Sequence, residues 1–302
     1  MERTIKKSTQ DGYTQRLKKL NDGKEIDNYA FLYDVNVVMD KIKDFKPSTQ
    51  RNYIIAIVSA LRNVPTMHSM FEVYSKIMDE MNTVLKKNNT KSDVQKDNWV
   101  SQEEIQQVFE KLSNNTLELF CSKRKNITEL DWEKILETVI LALYVLQPPR
   151  RILDYNSMII VKKLPKEIDK NINYYDLSSD TFYFSNYKTS KTYKTQSFKA
   201  PSKLATLLEC YTKLHPIKFT KEQIGLPLLC KYNGSMFDKS YSITRILNKI
   251  FKRELNKRIS VNLLRSIFLT DTFGPKVTQL QDITTQMGTS SNMATSQYIK
   301  TD

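Results

Sequence analysis

The stretch Leu130 to Gln147, LDWEKILETVILALYVLQ, constrains this chain more than any other. Its apolar residues run nearly unbroken through the second half, so a helix here buries most of its circumference and belongs in the core of a domain. It is not long or apolar enough for a membrane span, and Pro148 and Pro149 stop it, because proline lacks the N–H that a helix needs and clashes with the preceding turn. A domain has to be built around it.

That domain has a start signal upstream. Ser101 and Glu104 form a capping-box pattern ahead of Ile105, Val108, Phe109 and Leu112, an apolar stripe at helical spacing. Before it, the polar run KKNNTKSDVQKDNW carries no periodicity and reads as a linker. The first part of the chain is helical in pattern. Ser48 or Thr49, after Pro47, can cap a helix with Ile54, Ile57, Val58 and Leu61 on one face, while Arg51 and Arg62 lie off that stripe. A second amphipathic stretch holds Met70, Phe71, Val73, Tyr74, Ile77 and Met78. The expected organisation is a helical N-terminal domain over 1–88, a linker over 89–100 and a larger domain over 101–302.

Beyond the double proline, NSMIIV, DTFYFSNY and SFKA read as short strands, with the lysine-rich YKTSKTYKT before the last, and predict a small antiparallel sheet. Helical patterns resume at Pro201 and run to the C-terminus. Gly225 to Pro227, Asn233 to Gly234, Gly274 to Pro275 and Gly288 to Thr289 are expected to interrupt them. The expected fold class is mainly α with a small antiparallel β-sheet.

Composition narrows the function. The 302 residues carry a formal net charge of +14, which favours an acidic partner, nucleic acid first among them. Cys121, Cys210 and Cys230 are too few and too scattered for a disulfide framework, so a reducing, intracellular setting is expected. His68 and His215 have no ligand-spaced neighbours, which argues against a zinc site, and both are expected on the surface or in loops. With six glycines there is no phosphate-cradling glycine loop for nucleotide hydrolysis, and no cofactor is expected. The charged N-terminus lacks the apolar region of a secretory signal.

Four segments, in order, resemble the catalytic domain of the tyrosine recombinase (phage integrase) family. In PPRRILDYNSM, Arg151 with Asp154 fits the family's arginine followed three residues later by a carboxylate, and Arg150 is the competing candidate. FYFSNYKTSKTYKT is similar to the family's lysine-bearing hairpin, with Lys188 as the match and Lys191 as the alternative. In SVNLLRSIFLT, Arg265, Phe268 and Thr270 fall on the family's pattern, and Asn262 stands where histidine is usual. MGTSSNMATSQYIK resembles the segment leading to the nucleophilic tyrosine, with Gly288, Ser290 and Tyr298 in register and Thr289 replacing the usual His or Trp. Upstream, KPSTQRNYIIAIVSALRN is similar to a helix of the family's core-binding domain. The PPRR run departs from the usual bacterial form and suggests a virus- or transposon-encoded member, expected in a prokaryotic cytoplasm, host nucleus or viral factory.

The resemblance implies a SAM-like core-binding domain, then a catalytic domain that breaks and rejoins duplex DNA through a 3′-phosphotyrosine, with four protomers on two DNA sites and no membrane. Few residues follow Tyr298, so the helix that many relatives dock on a neighbour is not expected here. The chemistry suits the residue types. Two guanidiniums clamp the charge that builds on a phosphodiester under attack, and a lysine ammonium can protonate the departing 5′ oxygen. Tyrosine, with an ordinary pKa near ~10, needs such a cationic setting to attack phosphorus. Asn262 and Thr289 keep hydrogen-bonding capacity but do not shuttle protons as histidine does. The alternatives are a type IB topoisomerase-like enzyme and a DNA-binding regulator with weakened catalysis. Lys18, Lys19, Arg51, Arg62, Lys123, Arg124 and Lys125 are candidate phosphate contacts.

Overall fold

The computed structural model describes residues 7–87, 90–121, 127–220, 225–237 and 241–300. The chain divides into two compact units, Met1–Lys91 and Ser92–Asp302. It is mainly helical, with a small mixed five-stranded sheet.

The first unit holds α1 (Lys7–Leu20), α2 (Val35–Ile42), α3 (Pro47–Leu61) and α4 (His68–Lys87). Asp34 caps α2 by accepting the Val37 N–H at 3.1 Å. α3 begins at Pro47 itself, so neither Ser48 nor Thr49 is its cap. Proline at the first helical position already has the helical φ, and its missing N–H would be unpaired there anyway. Ile54, Ile57, Val58 and Leu61 are buried with Leu17, Leu20, Leu32 and Tyr74, each of the aliphatic ones contributing about 1.5–3 kcal/mol. The Tyr74 hydroxyl donates to the Leu32 carbonyl at 3.0 Å, so its polar end is satisfied inside that core.

The second unit opens where a linker was expected. Ser92 and Gln95 form a capping box that starts α5 (Asp93–Asn98). Lys257 donates to the Asp97 carbonyl at 2.5 Å and the Arg258 N–H to the Asn98 side chain at 2.6 Å, so this segment is bound into the second unit. The capping signal was hidden in a stretch with no apolar stripe. α6 (Gln102–Cys121) starts at the Ser101–Glu104 box, with both reciprocal bonds made, at 2.8 and 3.0 Å. α7 (Glu129–Val145) is the apolar helix, and Trp132, Ile135, Val139, Ile140, Leu141, Ala142 and Leu143 are all buried. Its polar interruptions are paired: Glu137 accepts from Arg253 at 2.9 Å and pairs with Lys249 at 3.2 Å, and the Thr138 hydroxyl donates to the Lys134 carbonyl at 3.0 Å.

After α7 come α8 (Ile152–Asn156), β1 (Ile159–Val161), β2 (Tyr174–Asp176), β3 (Thr181–Phe184), α9 (Ser190–Tyr193), β4 (Gln196–Lys199), α10 (Ser202–Leu214), β5 (Leu226–Pro227), α11 (Ser242–Leu255), α12 (Val261–Gln286) and α13 (Ser291–Met293). The sheet order is β4-β3-β2-β1-β5. It is mixed rather than antiparallel, because β1 and β2 pair in parallel, Ile159 opposite Tyr174. The connection from Val161 to Tyr174 is about a dozen residues, enough for the crossover that parallel pairing requires. β3 and β4 form an antiparallel hairpin, with Phe182 opposite Phe198.

Two further expectations change. α12 runs through Gly274 and Pro275, although Pro275 cannot donate to the Asp271 carbonyl one turn earlier. Helical neighbours on both sides carry the segment across that gap. His215, expected on the surface, is fully buried, stacked edge-on against Trp132 and Tyr211. Its Nδ1 accepts the Ile217 N–H at 3.1 Å and its Nε2 donates to the Pro227 carbonyl at 3.0 Å, so the neutral ring fits a core site. No described helix is long and apolar enough to cross a membrane.

Candidate functional site

A cleft of about 480 Å³ opens where the end of α7, the start of α8, the β3–β4 hairpin and the first turns of α12 converge. Its wall includes Arg150, Arg151, Asp154, Tyr187, Thr189, Phe198, Lys199 and Arg265. Cations therefore outnumber the one carboxylate in that wall.

Local structure places each group. The two prolines end the core helix and deliver Arg150 and Arg151 to the cleft in an extended turn, with Arg151 as the residue before α8. Asp154 follows in the first turn of α8 and is buried. Its Oδ2 accepts from Arg150 Nε at 2.9 Å, while Oδ1 is buried with no hydrogen-bond partner. Burial raises the Asp154 carboxyl above its usual range, against the pull of Arg150. Ser260 caps α12 and sets its phase, burying Val261, Leu263, Leu264 and Ile267 and turning Arg265 to the cleft.

Arg265 donates through Nε to the Pro149 carbonyl at 3.2 Å, which fixes the guanidinium beside the double-proline turn. Burial, and then the neighbouring charge of Arg151, lower its pKa from the ordinary arginine value, with Asp154 and Tyr144 acting oppositely. Arg150 is held on several sides: Asp154 takes Nε, the Gln196 side chain lies 3.4 Å from both terminal nitrogens, and the Phe184 ring lies 3.8 Å beneath the guanidinium carbon. Among the described residues no hydrogen bond or ion pair holds the Arg151 side chain. The cleft thus keeps Arg151 and the terminal nitrogens of Arg265 available to an anion, while Oδ2 of its one carboxylate is bonded to Arg150.

The other expected site residues lie outside the cleft wall. Lys188 is exposed on the hairpin loop between Tyr187 and Thr189, which do line the cleft, and Lys191 is exposed on α9. Asn262 is exposed on α12, one turn before Arg265 and on the same side of the helix. Thr289 and Tyr298 lie beyond the far end of that helix, which rises roughly 30 Å between Arg265 and Gln286. Gly288, at φ +68°, ends α12 in a Schellman turn: the Thr289 N–H reaches the Thr284 carbonyl at 2.9 Å and the Gly288 N–H the Thr285 carbonyl at 3.1 Å. Tyr298 ends a π-helical turn, Ala294–Tyr298, and is 63% exposed. The structure brings together Arg150, Arg151, Asp154 and Arg265, and leaves Tyr298 apart from them.

Of the remaining basic candidates, Arg62 is exposed at the end of α3, whereas Arg51 is half-buried and donates to the Asn82 side chain at 2.5 Å. Lys123, Arg124 and Lys125 fall outside the described residues. Lys199 also lines the cleft, although the strand-like SFKA in which it stands carries no motif that marks it. Its place at the end of β4, opposite Thr181, is the signal that could have found it. Comparison of the chain with protein-family models, curated proteins and solved structures gives no match.

Proposed function

We propose that this protein is a DNA strand transferase of the tyrosine recombinase type, cutting and rejoining duplex DNA site-specifically through a 3′-phosphotyrosine. The observation that carries the reading is the cleft that Arg151 and Arg265 line together, neither in a direct ion pair, with Asp154, the one carboxylate of the wall, bonded to Arg150. Three arginines around one carboxylate leave the cleft with an excess of positive charge, which a bound anion offsets. A phosphodiester supplies that anion, and two guanidiniums match its non-bridging oxygens as charge grows in the transition state.

In the proposed reaction the Tyr298 oxygen attacks phosphorus, losing its proton to solvent. The bond from phosphorus to the 5′ oxygen breaks as the Tyr298 ester forms, and the Lys188 ammonium gives its proton to the departing oxygen. Resealing is the reverse, with the 5′ hydroxyl as nucleophile. Asn262 and Thr289 take the places of the usual histidine and His-or-Trp partners. Tyr298 has to be brought to a cleft, and the segment bearing it exposes Leu269, Phe273, Val277, Ile283 and Met287, an apolar face suited to burial in an assembly. Four protomers on two DNA sites supply that assembly in this reading, and Arg51, Arg62 and the Lys123–Lys125 run supply phosphate contacts.

The test is a pool of nicked duplexes of random sequence, incubated with the protein and resolved on a denaturing gel. A covalent protein–DNA band that Tyr298→Phe removes is expected, and sequencing the trapped DNA gives the site. DNA binding without any band would make the chain a regulator. Relaxation of supercoils by dilute monomer, without exchange between sites, would make it a type IB topoisomerase-like enzyme.

A further inference from the structure

Arg150 is the arginine of the cleft most held by its neighbours, and it contacts α8, both strands of the β3–β4 hairpin and the loop between them. It precedes Arg151 directly, so its backbone position and that of the free arginine are linked. Its Nε binds Asp154 at 2.9 Å on α8. Its guanidinium carbon lies 3.8 Å from the Phe184 ring centroid on β3, 5.4 Å from that of Tyr187 and 5.5 Å from that of Phe198 on β4. Its side chain is only 20% exposed. A planar cation among three rings, desolvated on most sides, fixes those rings relative to itself.

Tyr187 is the consequential one. It is buried, and its hydroxyl donates to the Lys194 carbonyl at 2.7 Å, closing the loop that leaves β3 and returns to β4. Lys188 is the next residue, on the exposed outside of that closed loop. The chain of contact runs from the double-proline turn through Arg150 to the Tyr187 ring, and from Tyr187 to the backbone that carries Lys188.

We propose that Arg150 is a positioning residue for Lys188: it ties the lysine-bearing loop to the turn that presents Arg151, so proton donor and phosphate clamp keep one register. This inference rests on the strand-transfer reading, in which Lys188 protonates the 5′ oxygen as the phosphorus–oxygen bond breaks. It also assigns the two adjacent arginines different tasks, Arg151 to the anion and Arg150 to the scaffold.

Two measurements on full-length Arg150→Met, which keeps length and apolar contact but loses charge and donors, test it. Hydrogen exchange of the free protein is expected to quicken about tenfold at residues 187–195, with α7 unchanged. Covalent adduct formation on an ordinary nicked duplex is expected to fall about 100-fold, near the low end of what a positioned proton donor contributes. On a duplex whose 5′ bridging oxygen is sulfur, a leaving group that needs no proton, the rate is expected to return to within about threefold of wild type. Lys188→Ala should show the same rescue, and the double variant should be no slower than either single one.

A loss that persists with the sulfur substrate places Arg150 on the phosphate and overturns the proposal. Unchanged loop exchange alongside wild-type adduct formation overturns it too, as does quickened exchange throughout the second unit, which marks a role in folding alone. If wild type forms no adduct with either substrate, the strand-transfer reading falls and takes the proposal with it. Arg150→Lys, which keeps the charge but not the planar stack, should recover less than half of the lost rate.

Discussion

The cleft and the C-terminal arm carry the proposed chemistry in opposite physical settings. Around the cleft, Arg150, Asp154, Phe184 and Tyr187 are interlocked by an ion pair, ring contacts and hydrogen bonds from α8, β3 and the two turns beside them. Past Ile267, the residues of α12 are mostly exposed, and Thr284 and Ala294 are the main buried points along the rest of the described chain. There the burial is local, with the Thr284 hydroxyl 3.1 Å from that of Ser291 across the Schellman turn. A clamp for a growing charge gains from being fixed before the charge appears. A nucleophile that must form and release a covalent bond to DNA gains from an element that repositions at low cost. The difference between the two regions is the one a rigid electrostatic site and a delivered nucleophile require.

The largest expected effect tests the rigid half. Arg265→Ala should slow covalent adduct formation about 100- to 1,000-fold, the usual loss when one charge-stabilising donor is removed, while DNA affinity by anisotropy changes little. A variant that cleaves at the wild-type rate would remove the cleft from the chemistry. The next effect compares rings. Phe184→Ala should cost roughly 3–5 kcal/mol of unfolding free energy in urea, as buried phenylalanines do, whereas Phe273→Ala on the arm should stay within about 0.5 kcal/mol. Equal losses would mean that the arm is packed in solution and the contrast is false.

A smaller effect probes the arm alone. Pro275→Ala restores an N–H where the helix lacks one and should slow hydrogen exchange across residues 271–286 several-fold, leaving the exchange of α7 unchanged. If adduct formation slows with it, bending near Gly274 and Pro275 is part of delivery. The smallest concerns His215, whose burial lowers its pKa below the ordinary 6.5. The unfolded chain takes up a proton as pH falls through 6.5 while the folded chain does not, so this contribution to stability is present above 6.5 and is lost below it. Denaturation midpoints measured between about pH 7.5 and 5.5 should decline, and His215→Asn should flatten that slope.

Parts of this molecule were legible because they are local. The core helix, the Ser101–Glu104 cap and the stripe from Ile54 to Leu61 follow from periodicity and capping chemistry that neighbouring residues settle among themselves. β2 and β5 were missed because three or two residues hold too little pattern, and their places depend on partners distant in sequence. Periodicity also cannot distinguish a proline that ends a helix from one carried inside it, as at Pro275.

For the candidate site, the sequence by itself determined the residue types, the +14 charge and the turn that sets two arginines after two prolines. It left Arg150 and Arg151 as competitors. Only the tertiary structure separated them, because the rings that occupy Arg150 come from β3, the hairpin loop and β4, more than thirty residues along the chain. It likewise decided that Arg265 lines one cleft with Arg151 while Tyr298 lies outside it. Spacing along a chain fixes which side chains share one helix face, but a cleft is defined by which elements pack together, and burial between them is a property no single segment possesses.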